Sequence, residues 1–357
     1  MKKLFLFAAF AGIALASCTT DESTFEGVEN GRLMNFVAAD YVHQTRGERT
    51  PSGTFSNENY TVYGWYTGTT VAHFGPLTVT ASDSPVESGY YWPDESLDFA
   101  AVSPADDARI AVTRNDDCTT TITYTFDGNT KINDNETNLM HADFISQQLN
   151  ESKNNTTVAL GFRHALAKLN VVVNQNSVAN PPAGINGYQV IVKKLNITGI
   201  KDKGEYTVTK NTDNTADDRL WADPAGAATW EIITNDHSLM TVTKAQNVKP
   251  SAYVANQFSV ADYYVMPQEI NSDAKVNVIY DLITYFNDGG TFTDENKTAT
   301  VLVKDIKKTN SEDKITHWYA NKHITYTFNI NPVAGLKPIT FSAKEETWNT
   351  EGGTHEF

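Results

Sequence analysis

Two arginines stand directly behind an apolar, strand-like run near the start of the sequence. Residues 33–49 read LMNFVAADYVHQTRGER, and Arg46 and Arg49 fall in its polar end. The peptide bonds after these arginines are the bonds that a trypsin-type protease hydrolyses. A cut there would detach the strand from the rest of the fold, so the arginines are either an accident of loop composition or the centre of a mechanism.

A second reactive group is the thiol of Cys18, which follows the small residues of Leu15-Ala16-Ser17. The preceding segment has a charged start and an apolar stretch over residues 4–15. That stretch is shorter than the ~20 residues of a membrane-spanning helix, so residues 1–17 are predicted to be a signal peptide. The Leu-Ala-Ser-Cys end matches the lipobox of bacterial lipoproteins and predicts diacylglycerol on Cys18 Sγ, cleavage before Cys18, and acylation of the new amine. The alternative is an ordinary signal peptide with a chance cysteine.

Charge and cysteine content narrow the function classes. The formal net charge is −15, which argues against nucleic acid and anionic lipid surfaces as partners, because both favour basic patches. Only Cys118 remains once Cys18 is lipidated, so no intramolecular disulfide is available and the core must hold the fold.

No motif for catalysis, a cofactor or a metal emerges from the sequence. None of the eight histidines has HExxH spacing, and there is no GxSxG, P-loop or GxGxxG sequence. His164, in GFRHALAKLN, is interpreted as a packed structural residue. The six tryptophans and sixteen tyrosines could stack on glycan rings, but their place in or beside strands favours core packing. We therefore predict no catalytic, cofactor-binding or metal-binding residues.

The elements that must position the arginine segment are strands. Runs rich in Val, Ile, Thr and Tyr recur between Gly, Pro, Asn and Asp, which predicts an all-β protein of packed sandwiches. The runs lie at 59–68, 76–82, 96–102, 109–114, 118–126, 156–162, 168–174, 188–200, 204–210, 229–234, 259–267, 274–282, 298–306, 323–330 and 338–343. The best helical signal is one or two turns at 138–150. The loop NQNSVANPPAGING, 174–187, is rich in breakers and predicts a domain boundary near residue 180.

Several local patterns, in order along the chain, resemble the fimbrillin family of Bacteroidetes, the type V pilins and their minor subunits. The patterns are YYWPDESLDFAAVSP at 90–104, FRHALAKLNVVV at 162–173, Met266-Pro267-Gln268 in YYVMPQ, HWYANKHITYTFNI at 317–330, and ITFSAKEETW at 339–348. Each pattern is weak alone, and their joint order with the lipobox carries the resemblance.

The resemblance implies two tandem transthyretin-like Greek-key β-sandwich domains in a non-enzymatic fimbrial (pilus) subunit with a role in adhesion. It divides the chain into a signal peptide (1–17), a tether and removable first strand (18–46), an N-terminal sandwich (47–180) and a C-terminal sandwich (181–357). It implies a precursor anchored to the outer membrane through lipid on Cys18 and later an extracellular fimbrium. The implied partners are other fimbrial subunits, a trypsin-like Arg-specific protease and a host or bacterial surface ligand.

The resemblance also gives the arginine segment a role. It maps the first strand to about 33–43 and the protease cut to Arg46-Gly47, with Arg49-Thr50 as the second choice. Loss of the strand would open a groove for an extended strand of another subunit, for which a segment within 338–357 is the candidate. The alternation within the first strand leaves open which face is buried. The alternative function is a monomeric, cell-surface glycan-binding lipoprotein, and a hydrolase is the least supported hypothesis.

Overall fold

A computed structural model of the chain describes residues 32–40, 59–80, 84–127, 139–149, 156–176, 178, 181–209, 221–226, 228–233, 237–242, 257–333 and 339–347. Regular structure within these ranges is β apart from one 3-10 turn at Val303–Asp305, which confirms the all-β prediction. In this part of the chain, no helix is long and apolar enough to cross a bilayer.

The first ten strands precede the predicted domain boundary and form hairpins and longer connections. They are β1 (Leu33–Asp40), β2 (Tyr60–Tyr66), β3 (Ala72–Val79), β4 (Val86–Tyr91), β5 (Leu97–Ser103), β6 (Ile110–Arg114), β7 (Thr120–Asp127), β8 (Met140–Ala142), β9 (Ile145–Gln147) and β10 (Thr157–His164).

The remaining strands include the longest ones in the protein. They are β11 (Ala167–Gln175), β12 (Ile185–Ile200), β13 (Lys203–Thr209), β14 (Ala222–Ala225), β15 (Ala228–Ile233), β16 (His237–Val242), β17 (Gln257–Val265), β18 (Gln268–Glu269), β19 (Lys275–Phe286), β20 (Thr291–Leu302), β21 (Lys307–Lys308), β22 (His317–Trp318), β23 (Lys322–Ile330) and β24 (Ile339–Thr347).

An eight-stranded sheet wraps around the first hydrophobic core. Its order is β3-β2-β5-β8-β10-β1-β4, and β9 pairs with β5. The first core takes buried side chains from β1, β2, β3, β5, β8 and β10, together with Trp92. The sheet therefore depends on β1 both for backbone pairing and for core volume.

Strand β5 packs on both faces, because its sequence LDFAAVS is apolar at almost every position. Leu97 and Phe99 point into the first core, whereas Ala100 and Val102 belong to a separate cluster on the other face of the sheet. Asp98 on that second face is buried and forms an ion pair with Arg114 of β6 (Nη2 to Oδ2 2.9 Å).

A four-stranded sheet, in the order β14-β13-β7-β6, covers this second face. It joins strands from before and after residue 180, because β7 pairs antiparallel with β13 from Lys203↔Asp127 to Thr209↔Thr121. We call the cluster between the two sheets the junction core. Its largest members are Trp65, Tyr124, Phe126, Tyr206, Trp221 and Met266.

The C-terminal half is a two-layer sandwich. One layer has the order β17-β11-β23-β24-β21, and the other has the order β15-β12-β19-β20 with β16 added to β12. Their facing side chains form the second core, with Trp230, Tyr280, Trp318, Tyr326 and Phe328 fully buried.

Two predictions concern the organisation of the chain, and the structure corrects one of them. The helical turns predicted at 138–150 are wrong, since the chain forms β8 and β9 there and extends the eight-stranded sheet. The domain boundary near residue 180 stays a prediction, as does the Greek-key arrangement. The chain leaves the eight-stranded sheet after β10 and enters a layer of the C-terminal sandwich with β11.

Candidate functional site

The first strand lies inside the eight-stranded sheet, between two different kinds of neighbour. On one side it runs parallel to β10, from Asn35↔Thr157 to Asp40↔Phe162. On the other side it runs antiparallel to β4, from Leu33↔Tyr91 to Phe36↔Val86. We call β1 with the facing edges of β10 and β4 the first-strand site.

One face of β1 is fully buried. Met34 and Phe36 are 0% exposed and Ala38 is 5% exposed, and all three belong to the first core. The Phe36 ring packs edge-to-face against Phe74 of β3 (centroids 6.1 Å apart) and Phe99 of β5 (5.9 Å). The face that alternation alone left undecided is thus the Met34 face.

The opposite face carries polar contacts that set the start of the strand. Asn35 Nδ2 donates to Thr156 Oγ1 (3.0 Å), and Asn35 N donates to the Thr156 carbonyl oxygen (3.0 Å). Trp92 Nε1 donates to the same carbonyl (3.0 Å), and Trp92 N donates to the Arg32 carbonyl (3.1 Å). The side chain of Asn35 therefore lies on the face of β1 that points away from the first core.

The two ends of the sheet order, β3 and β4, are joined by side chains. His73 Nε2 donates to the Tyr91 carbonyl (2.9 Å), and His73 Nδ1 lies 3.1 Å from the Tyr66 hydroxyl, which donates to it when the imidazole is neutral. Burial lowers the pKa of His73 and so favours the neutral ring. The Phe74 and Tyr90 rings pack 5.0 Å apart beside it. We call these five residues the edge bridge.

Sequence reasoning missed the edge bridge, because His73 carries no motif and its partners lie on separate strands. A Cβ at Gly64 would lie 2.6 Å from the Phe74 ring, so the glycine in β2 makes room for that ring. A glycine inside an otherwise aromatic strand was the only local signal of a close approach.

The residues predicted for covalent chemistry lie outside the described residues. These are Cys18 for lipidation, and Arg46-Gly47 and Arg49-Thr50 for proteolysis. The described part of β1 ends at Asp40 and β2 begins at Tyr60, so both arginines fall in the connection between these strands. Their roles stay predictions.

The other candidate groups are structural within the described residues. No group of three or more His, Cys, Asp or Glu side chains there is arranged to hold a metal ion. His164 is buried, as predicted, and its pKa is well below the usual range because burial, Lys168 and His141 disfavour its charged form. The tryptophans at 65, 92, 221, 230 and 318 are buried, so their rings are not available to stack on a glycan.

Two of the motifs that carry the resemblance contain buried side chains that fix chain connections. Gln268 is 1% exposed, and its side chain accepts from Lys201 N (2.8 Å) and donates to the carbonyls of Lys201 (2.9 Å) and Met266 (3.1 Å). Trp318 Nε1 donates to the buried hydroxyl of Tyr326 (2.8 Å). These contacts give the Pro-Gln corner and the Trp…Tyr strand physical roles in the second half.

The last described strand closes the C-terminal sandwich. β24 pairs antiparallel with β23 from Lys322↔Thr347 to Ile330↔Ile339, and its Ala343 is fully buried. On its other side it pairs only with the two residues of β21 within the described part of the chain. Most of its outer edge therefore has no backbone ladder among the described strands.

The sequence matches the profile of the fimbrillin-like proteins over residues 39–348. The chain belongs to the fimbrillin-like family. The resemblance inferred from the sequence patterns is confirmed.

Two of the solved structures that resemble this chain come from Bacteroides species. A fimbrial protein from Bacteroides vulgatus has 18% identity and a TM-score of 0.50, with 89% of this chain and 100% of that chain covered. A proposed cell adhesion protein from Bacteroides uniformis has 15% identity and a TM-score of 0.46, with 89% and 98% covered. No curated protein matches the sequence. At 18% identity, the likeness to the Bacteroides vulgatus protein concerns the fold alone.

Proposed function

We propose that this fimbrillin-like protein is a structural, non-enzymatic subunit of a cell-surface fimbrium. It is exported as a lipoprotein on Cys18 and anchored in the outer membrane. An Arg-specific, trypsin-like protease then cuts after Arg46, or after Arg49, and releases β1 with the lipid. A strand from another subunit fills the vacated groove, and the polymer serves adhesion to a host or bacterial surface.

The observation that carries this proposal is the interior position of β1. Removing β1 would leave the facing edges of β10 and β4 without backbone partners and open the first core where Met34 and Phe36 had been. Each such side chain stabilises the fold by ~1.5–3 kcal/mol on burial, and each restored backbone hydrogen bond contributes ~1 kcal/mol. An edge of this kind favours capture of an added strand.

The C-terminal segment supplies a strand with a matching pattern. In β1, Met34-Asn35-Phe36-Val37-Ala38 places Met, Phe and Ala on the buried face. In β24, Ile339-Thr340-Phe341-Ser342-Ala343 has an apolar residue, Phe and Ala at the same spacing, with polar residues between them. This match supports β24 as the donor to a neighbouring copy. Donation requires that β24 leave β23, its main partner in the same chain.

Proteolysis and sizing of three proteins test the proposal. Protein lacking residues 1–18 is treated with limiting trypsin, and the products are analysed by size-exclusion chromatography with light scattering. Wild type should be cut between β1 and β2 and then form a ladder of oligomers. Arg46→Ala combined with Arg49→Ala should resist cutting there and stay monomeric, because its own β1 occupies the groove.

The matched control changes two basic residues away from the site. Lys194 of β12 and Lys297 of β20 are partly exposed in the C-terminal half and lie outside β24 and the strands that pair with it. Their double Ala variant should be cut after Arg46 and assemble like wild type. If the double arginine variant assembles as readily as wild type, release of β1 is not the trigger of assembly.

A further inference from the structure

Strand β4 has one backbone partner among the described strands, and that partner is β1. It lies at one end of the sheet order, while β3 lies at the other end, and the described residues of these two strands form no ladder. When β1 leaves, β4 therefore loses its ladder. Another contact must hold β4 in place if an incoming strand is to pair with β10 and β4 together.

Two side-chain contacts hold the end of β4 without help from β1. Trp92, the residue after β4, donates from Nε1 to the Thr156 carbonyl at the start of β10 (3.0 Å). From the opposite side, His73 of β3 donates from Nε2 to the Tyr91 carbonyl (2.9 Å). The first contact spans the groove, and the second fixes β4 to the far edge of the sheet.

The imidazole of His73 is itself held in place. Its Nδ1 lies 3.1 Å from the hydroxyl of Tyr66, and its ring packs edge-to-face against Tyr66 (5.4 Å) and Phe74 (5.8 Å). Phe74 contacts Tyr90 of β4 on one side and Phe36 of β1 on the other. The edge bridge is thus in contact with the side chain that departs.

We propose that His73 is a positioning residue that holds β4 as the outer wall of the vacated groove, so that a strand from a second copy of this chain can enter. The occupant is a second copy because β24 repeats the apolar-x-Phe-x-Ala pattern of the departing strand. This inference rests on the proposed function, since it concerns the same groove. It adds a residue whose effect appears only after β1 has left.

The test measures the role of β4 as the wall of the groove independently of natural cleavage at Arg46. A recognition sequence for a site-specific protease is inserted within 41–58 of the chain that lacks residues 1–18, so the cut no longer depends on Arg46. After the cut, a fluorescent peptide of residues 32–42 is added in excess. Its uptake and affinity are measured by anisotropy, and amide hydrogen exchange of 84–92 is followed by mass spectrometry.

Four variants report on the bridge. His73→Phe keeps a packed ring but removes both hydrogen bonds, and it should weaken peptide binding by about tenfold or more. His73→Gln retains an amide donor for the Tyr91 carbonyl and should restore most of the affinity. Tyr66→Phe removes the hydroxyl partner of His73 Nδ1, and its peptide affinity should lie between those of His73→Phe and His73→Gln. His317→Phe is the matched control, because His317 also has a hydroxyl partner and a ring neighbour but lies in the C-terminal half.

The exchange measurement distinguishes positioning from general destabilisation. Before the cut, β1 holds β4, so the amides of 84–92 in His73→Phe should exchange at the wild-type rate. After the cut, the amides of 84–92 should exchange faster in this variant than in wild type. The exchange rates of β23 and β24 should be the same in both proteins. Equal peptide affinity and equal exchange in cut wild type and cut His73→Phe would overturn the inference and leave the proposed function intact. Failure of cut wild type to take up any peptide would refute strand exchange, and the inference with it.

Discussion

At the scale of single residues, the proposed route to the cell surface depends on a covalent modification that we predict on Cys18. In a host that processes lipoproteins, Cys18→Ala should abolish labelling by a fatty-acid probe, because the thioether and the acylated amine both form on this residue. The measurement is in-gel detection of an alkyne-palmitate label. Persistent labelling of the variant would show that the lipid is attached elsewhere or that Cys18 is not modified.

His164 should make the fold sensitive to acid. Burial holds its pKa well below 6.5 in the folded protein, whereas the unfolded chain takes up the proton near pH 6.5. The free energy of unfolding should therefore fall as pH drops below about 6.5, by up to ~1.4 kcal/mol per pH unit. Urea unfolding at pH 7.5 and 5.5 measures this loss, and His164→Gln should show a smaller loss than wild type.

The matched control for that measurement is Ser103→Ala, which changes a buried side chain that does not titrate and should keep the wild-type pH dependence. His73 contributes with the same sign, because burial lowers its pKa too. A pH dependence that is identical in wild type and His164→Gln would show that other groups are responsible for the acid sensitivity.

Sequence reasoning reached some of these residues for physical reasons that are now visible. An aliphatic and aromatic setting on both sides predicted that His164 is buried, and the structure places it at the end of β10, directly before Ala165 and Leu166 of the junction core. The buried face of β1 was harder to predict from the sequence, because Leu33 and Val37 are as apolar as Met34. The decisive amide of Asn35 becomes informative only once its partner Thr156 is known.

At the scale of elements, side chains on one face of β1 should contribute far more to the free energy of unfolding than side chains on the other face. Phe36→Ala removes a fully buried ring that contacts Phe74 and Phe99, and it should lower the free energy of unfolding of the uncut chain by ~3–5 kcal/mol. Val37→Ala, on the opposite and partly exposed face, should cost only about 1 kcal/mol. Urea denaturation of the two variants gives the comparison, and equal losses would contradict the assignment of the buried face.

The strands that sequence reasoning predicted are the long ones with clear alternation or β-branched runs. The run at 188–200, for example, corresponds to β12, and the run at 323–330 corresponds to β23. The strands it missed include β4, which is mostly exposed and contains Gly89, and the three-residue strands β8 and β9. These elements are strands because of the ladders they join, and pairing between distant segments leaves no local pattern.

At the scale of the whole molecule, the four-stranded sheet should make the two halves unfold together. Tyr206 of β13 stacks on Tyr124 of β7 (5.8 Å) and on Trp221 (5.9 Å) in the junction core. Tyr206→Ala should therefore destabilise both halves, by ~3–5 kcal/mol, in one transition. Hydrogen exchange of β10 and β23 in increasing urea reports on each half, and two separated transitions would contradict this coupling.

Sequence reasoning divided the chain at a loop rich in Pro, Gly and Asn but could not foresee the sheet that joins strands from both sides of it. The pairing of β7 with β13 links residues on opposite sides of that loop, and neither strand differs in composition from its neighbours. Loop composition reports where a chain can turn. It does not report which distant strands meet afterwards.

The shared sheet has a mechanical consequence for a filament of such subunits. In a filament assembled by strand exchange as proposed, tension crosses each subunit through the β7–β13 ladder, the stacked rings of the junction core, and the chain where it passes from β10 to β11, from β12 to β13 and from β14 to β15. A hinge at a single linker would bend there first, whereas this junction spreads the load over a ladder and three crossings of the chain. Bending of the filament should then concentrate where one subunit meets the next, and each subunit should behave as a stiff link.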